Sequence, residues 1–235
     1  MRHNQLTLFF YLLLAIVMSC NNGALLPEPI VEEDLIGRWD VTVRGGLMFV
    51  EFTPDNRVLI QDRGAIGKKD STIYYYQDYD FMGDNTIENL PGSSTMSDIV
   101  VEGDKITFTF SSPSTGHRLR YYGKRVEEIE DDEFAMRLCQ TWITVRENGI
   151  PLAPEKQKIA YFSNTGLFLL KELLSDELFV FGWERNSETQ LCYTEYQRPR
   201  LVPKPICMNF IPGNNEYLEF EVDGDVIRIE PTLLF

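Results

Sequence analysis

An acidic lead-in followed by a tryptophan-bearing strand, Val31-Glu-Glu-Asp-Leu35-Ile-Gly37-Arg-Trp39-Asp-Val41-Thr-Val43, constrains this chain more than any other stretch. It returns about a hundred residues later as Ile129-Glu-Asp-Asp-Glu-Phe134 and Leu138-Cys-Gln-Thr-Trp142-Ile-Thr-Val145, which is the signature of two related modules in tandem. Along the first strand, Trp39, Val41 and Val43 point to one face while Asp40, Thr42 and Arg44 point to the other, so the strand is half buried.

The rest of both halves is punctuated in the same way. In the first, Met48, Val50 and Phe52 share a face opposite Phe49 and Glu51, and Thr53-Pro-Asp-Asn56 turns the chain into Val58-Leu-Ile60. Proline presets one turn residue and asparagine tolerates positive φ, so this is a hairpin. Phe162-Ser-Asn-Thr-Gly166 repeats it, with glycine at the position needing positive φ. A third anchor pairs the Glu102-Gly-Asp104 hairpin with Asp223-Gly-Asp225. Helical composition is confined to the lead-ins at 31–35 and 127–137. The predicted fold is therefore all-β: two antiparallel meander modules, barrel or sandwich, over 31–128 and 129–235.

The copies differ in two ways that bear on closure. Aligning Thr42-Val-Arg44 with Thr144-Val-Arg146 leaves the second copy one residue short beside its tryptophan, so Trp142 is expected to face differently from Trp39 unless a bulge restores the phase. The second copy also has Gln140 in place of Gly37 and ends soon after its last hairpin, without a counterpart of the strand at 118–126.

Leu35, Gly37 and Trp39, opening the first strand of an antiparallel meander, resemble the Gly-x-Trp motif of lipocalin-like barrels. With the leader described below, the chain resembles the lipocalin-like lipoproteins of Gram-negative gut and oral bacteria of the Bacteroides type. The resemblance implies that the first-strand tryptophan of each module, Trp39 and Trp142, plugs one end of a barrel and that the other end can admit a small ligand. It supplies no ligand residues, and modules of this size can instead fill their interiors with side chains.

The first residues read as a leader. Arg2 and His3 precede an uncharged run from Leu6 to Met18, thirteen residues and too short to span a bilayer, and Val17-Met-Ser19-Cys20 follows. Small Ser19 before the cysteine resembles a bacterial lipoprotein signal. That resemblance implies a signal peptide over 1–19, lipid on Cys20, and a Pro- and Gly-bearing tether over 20–30. The predicted location is the cell envelope, an outer-membrane lipoprotein facing the periplasm or the surface, with the lipid as its membrane partner. A net charge of −14 repels phosphate backbones, and Lys and Arg are scattered along the sequence, so nucleic acid is not an expected partner.

Three cysteines remain beyond the leader. Cys192 and Cys207 flank the proline-broken segment 198–205, which could fold as a hairpin and bring them together as a disulfide in an exported protein. The alternative is three buried thiols, and Cys139, whose repeat partner is apolar Ile36, is the one expected to stay a thiol.

No catalytic constellation is legible. His117 is the one histidine past the leader and sits in a turn, which leaves no triad and no multi-histidine metal site to build. The loop from Asp78 to Glu88 gathers oxygen donors. However, Met82 and Asn89 stand where an EF-hand needs an oxygen and a bidentate glutamate, so it reads as a solvated acidic loop. No cofactor is expected. The run Tyr74-Tyr75-Tyr76 splits across two faces, so at least one face meets solvent, a cavity or the other module. Recognition of a ligand or partner and ordinary sheet packing both fit it. The sequence thus predicts a non-enzymatic binding protein for a small apolar or sugar ligand. Its alternative is an interaction component of an envelope assembly with filled barrels, and any cavity is expected first in the module that opens with Trp39.

Overall fold

The computed structural model describes residues 29–42, 47–62, 73–129, 132–175, 178–195, 205–211 and 216–233; the leader and Cys20 lie outside them. The fold is all-β, with two antiparallel sheets, each rolled into a barrel. The first comprises β1 (Gly37–Val41), β2 (Leu47–Phe52), β3 (Arg57–Asp62), β4 (Ile73–Asp78), β5 (Asp80–Phe81), β6 (Ile87–Leu90), β7 (Ser94–Glu102), β8 (Lys105–Ser112) and β9 (His117–Arg125). A helical turn, α1 (Glu133–Leu138), leads into the second sheet. Its strands are β10 (Thr141–Glu147), β11 (Ile150–Pro151), β12 (Lys158–Phe162), β13 (Leu167–Glu172), β14 (Leu178–Ser187), β15 (Gln190–Glu195), β16 (Ile206–Ile211), β17 (Leu218–Val222) and β18 (Asp225–Pro231).

Both barrels are built from strands that follow one another in sequence, so most pairing is by hairpin, and the long-range step is closure. In the first barrel β9 pairs back onto β1; in the second β18 pairs back onto β10. Among the described residues no ladder joins β4 to β5, yet the ring is continuous there, because the chain passes from one to the other through buried Tyr79 alone. The Tyr79 N–H donates to the Asn56 carbonyl (3.2 Å), as the Trp183 N–H donates to the Gly166 carbonyl (2.8 Å) in the middle of unbroken β14. Thus β4 and β5 are halves of one bent strand equivalent to β14.

The two hairpins that the sequence paired do match. The Thr53 and Ser163 carbonyls each accept the turn's N–H at 3.2 Å, from Asn56 and from Gly166, and both turn residues have positive φ (59° and 81°). The third anchor does not match. The Glu102-Gly-Asp104 turn joins β7 to β8, one strand short of the seam, whereas Asp223-Gly-Asp225 joins β17 to β18, the seam strand itself. Residues at 117–125 therefore do have a counterpart, β18, and the shared acidic-Gly-Asp turn reflects hairpin chemistry rather than equivalent position.

Trp142 does not face differently from Trp39. The ladder between β10 and β18 is irregular between Thr144 and Arg146, and this bulge absorbs the register difference; both indoles are buried. Nor does Gln140 impair closure, since the second sheet closes through a full ladder. The reason lies with Arg125. Its guanidinium stacks 4.1 Å from the Trp39 ring and donates to the Ile36 and Asp34 carbonyls, and a Cβ on Gly37 would stand 3.2 Å from it. Gly37 also has φ +113°, which a side chain strains. In the second barrel the residue opposite the tryptophan is Pro231, not arginine, so nothing needs the space and glutamine fits.

Two stability outcomes follow. Gly37→Ala should cost about 2 kcal/mol in urea unfolding, while Gln140→Ala should stay within about 0.5 kcal/mol. Cys192 and Cys207, directly opposed on β15 and β16, form a disulfide closing a separation of 15 residues. Reducing it should lower stability by about 3 kcal/mol, read as a shifted urea midpoint.

Candidate functional site

One end of each barrel is plugged. The Trp39 indole N–H donates to the Leu35 carbonyl, and the Trp142 indole N–H donates to the Leu138 carbonyl, both at 2.8 Å, so each large ring fills the barrel floor with its one polar atom satisfied. Leu35 and Leu138 are fully buried beside them. The second floor is braced further by α1. Asp132 caps it, accepting from the Ala135 N–H at 2.8 Å, and Arg185 pairs with Asp132 while lying 4.8 Å over Phe134. The cap and the arginine hold the Asp132 carboxyl below its ordinary range.

Above the floors the interiors hold bulky side chains. In the first barrel Val50, Phe52, Ile60, Ile106, Phe108 and Tyr121 are all buried in one cluster. In the second, Phe162 stacks on Phe168 at 4.5 Å, and Phe168, Phe181 and Tyr193 contact one another in turn.

The open end of the second barrel differs. Strand direction puts the ends of β13, β15 and β17 and the starts of β14, β16 and β18 opposite the Trp142 floor. Leu170, Phe181, Tyr193 and Ile227 pack against the core there and are only partly buried. Phe179 is paired with Leu170 and Ile206 with Tyr193, so both share the inner face, yet they are 41% and 39% exposed. The result is a set of six large apolar side chains, four partly buried and two more than a third exposed, at the mouth of a closed barrel. The sequence points to the other module for any cavity. Residues 43–46 and 63–72 of that module, like 176–177 and 196–204 of the other, lie outside the described residues; among the described residues the apolar ring belongs to the module that opens with Trp142.

The barrels meet along their outer faces. Phe49 and Leu59 of the first pack with Leu167, Leu169 and Val180 of the second, with Tyr74, Tyr76, Tyr161 and Leu178 around them. Tyr76 stacks on Tyr161 at 6.0 Å. Tyr74 and Tyr76 therefore pack between the modules, while Tyr75 packs against the first core, and all three remain partly exposed. Five fully desolvated apolar side chains amount to roughly 10 kcal/mol of transfer free energy before ordering costs.

Glu51 lies in this interface, 2% exposed, and pairs through its two oxygens with the Ser163 and Thr165 hydroxyls; the Thr165 contact is 3.0 Å. Burial raises its pKa above the ordinary 4.5, outweighing the two hydroxyls and Arg38, which pull it down, while Glu128 pushes it up. The alternation of β2 marked Glu51 as an outward residue; only its position opposite a second barrel made it buried. In the loop after β5, Asn85 is also buried and accepts from the Ile30 N–H at 2.9 Å, so it ties down the start of the first module. Among the described residues no group of three or more His, Cys, Asp or Glu side chains is placed to hold a metal ion, and His117 is exposed at the start of β9. No protein-family model matches this chain, and no curated protein does either.

The buried carboxyl makes stability pH-dependent. A folded-state pKa raised above the unfolded value favours the fold at low pH, and that contribution is lost as pH rises through the folded value. From about pH 4.5 upward, the wild type should lose stability relative to Glu51→Gln, whose neutral amide keeps the hydroxyl partners without titrating. Urea unfolding across a pH series measures the divergence; parallel curves would contradict it.

Proposed function

We propose that this chain is a non-catalytic binding protein of the cell envelope, tethered through lipid on Cys20 as an outer-membrane lipoprotein, and that the mouth of its second barrel takes a small apolar ligand. The observation that carries this reading is the partly exposed ring of Leu170, Phe179, Phe181, Tyr193, Ile206 and Ile227 on the inner face. Large apolar side chains inside a concave rim lose favourable free energy to water, which a ligand recovers at roughly 25 cal/mol per Å² covered. Tyr193 adds the one polar tip in the ring, suited to orienting a ligand that carries a single oxygen or nitrogen. The disulfide on the adjacent strands stiffens this side of the rim.

A second reading rests on the packed lower halves of both barrels, which favour a module that presents its rim to a protein side chain rather than enclosing a free ligand. In that case the partner is another envelope component.

Titration of the purified protein with the apolar fluorophore N-phenyl-1-naphthylamine separates the outcomes. Fluorescence enhancement that falls about tenfold in affinity with Phe179→Asp supports the rim as the site. Absence of enhancement, or enhancement indifferent to Phe179→Asp and Tyr193→Ala, removes the small-ligand reading. Loss of metabolic palmitate labelling in Cys20→Ser tests the anchor.

A further inference from the structure

The rim of the second barrel is held unevenly. Leu170, Phe181, Tyr193 and Ile227 each have a ladder partner on both sides. Among the described residues, Ile206 is paired on one side only, with Tyr193. The reason is where β17 turns. Its ladder with β16 covers Asn209 to Ile211, and the chain then reverses after Val222, through Asp223 and Gly224, into β18. Ile206, Cys207 and Met208 therefore extend beyond that ladder, and their ladder partners are all on β15. This accounts for Ile206 being 39% exposed while Tyr193 beside it packs against the core.

One covalent bond secures this segment. Cys192 and Cys207 are directly opposed and joined, one pair below Tyr193 and Ile206 at the rim and one pair above Leu191 and Met208, which are both buried. Side chains alternate along a strand, so the sulfurs lie on the outer face while Tyr193 and Ile206 face the interior. A thiol arriving from solvent thus meets the bond without entering the barrel. Cys192 is buried and Cys207 is partly exposed, which makes Cys207 the half of the bond presented to it.

We propose, building on the reading of this mouth as an apolar-ligand site, that the Cys192–Cys207 disulfide is a redox latch on the rim. It is opened by a dithiol protein of the thiol-exchange class and closed by the reverse exchange with a disulfide of that class. A thiolate of the dithiol attacks the Cys207 sulfur, the S–S bond breaks, and Cys192 leaves as a thiolate that takes up a proton. The second thiol of the donor, losing its proton, then attacks the first donor sulfur and releases Cys207, which is protonated in turn. Two electrons pass to this chain and a disulfide forms on the donor. With the bond cut, Ile206 is fixed by its short ladder to β15 alone, and a ligand must order it on binding. The oxidised rim is pre-organised; the reduced rim is not.

The test uses the mature protein without denaturant, N-phenyl-1-naphthylamine as probe and dithiothreitol as the dithiol. The oxidised protein is expected to bind the probe, and reduction to weaken it about tenfold. Cys192→Ser combined with Cys207→Ser should bind like the reduced protein and ignore dithiothreitol, while Cys139→Ser should behave as wild type. Hydrogen exchange of the 206–208 amides should quicken about tenfold on reduction while that of β13 stays the same. Gly37→Ala, which destabilises the other barrel, should leave probe affinity unchanged, and circular dichroism checks that each form is folded. Equal affinity before and after reduction, or unaltered exchange at 206–208, overturns the latch and leaves the ligand reading standing. So does an equal loss of affinity in Gly37→Ala, since that pattern reports overall stability. No probe binding by the oxidised protein overturns the ligand reading and the latch with it.

Discussion

Each barrel depends on a buried indole whose N–H donates to the backbone carbonyl four residues before it. Trp39 reaches Leu35 and Trp142 reaches Leu138 at the same distance. A tryptophan on a barrel floor brings the largest apolar payload available, and it also brings a donor that costs free energy when left unpaired. Satisfying that donor locally fixes the lead-in turn against the first strand and so sets the phase of β1 and β10. The inward set of every following strand is then determined by the pleat. This explains why the second copy absorbs its register difference in a bulge beyond the tryptophan rather than by turning the indole outward.

The two floors are finished by different means, and each choice explains a neighbouring residue. Arg125 covers Trp39 and ties down the carbonyls of the lead-in, which requires Gly37 beside it. The second barrel has Pro231 at that place and instead clamps α1 with Arg185, so Gln140 is free of the constraint. Glycine two residues before the tryptophan thus belongs to the arginine rather than to barrel closure. The contrast also shows how related modules diverge while their interiors remain alike: the constraint moves with one cation and its neighbours adjust.

The barrels are joined by an apolar patch with one carboxyl enclosed in it. The patch supplies most of the association, and Glu51 adds directional contacts to Ser163 and Thr165 in the hairpin turn of the opposite barrel. Burial of outer faces on both partners leaves the partly exposed apolar rim of the second barrel outside the joint.

The sequence by itself determined the all-β class, the two tryptophan-bearing first strands and the matched Phe-[Ser/Thr]-x-x-[Asn/Gly] hairpins, and it offered the pairing of Cys192 with Cys207 as one of two cysteine arrangements. All of these rest on local chemistry: period-two alternation, turn residues that tolerate positive φ, and a proline-broken connection between two strands. The acidic-Gly-Asp turn looks like a third equivalence and is not one, because such turns are favoured by any tight hairpin and carry no information about which strand closes a ring. Only the tertiary structure decided where Phe49, Glu51, Tyr74 and Tyr76 go. The pleat puts Phe49 and Glu51 on one face and Tyr74 and Tyr76 on one face, and whether such a face meets water or a second barrel depends on contacts far apart in the sequence. The same holds for charges that meet between strands. Lys105 and Lys124 come together by pairing across β8 and β9, and a stripe formed between strands has no period in the sequence to reveal it.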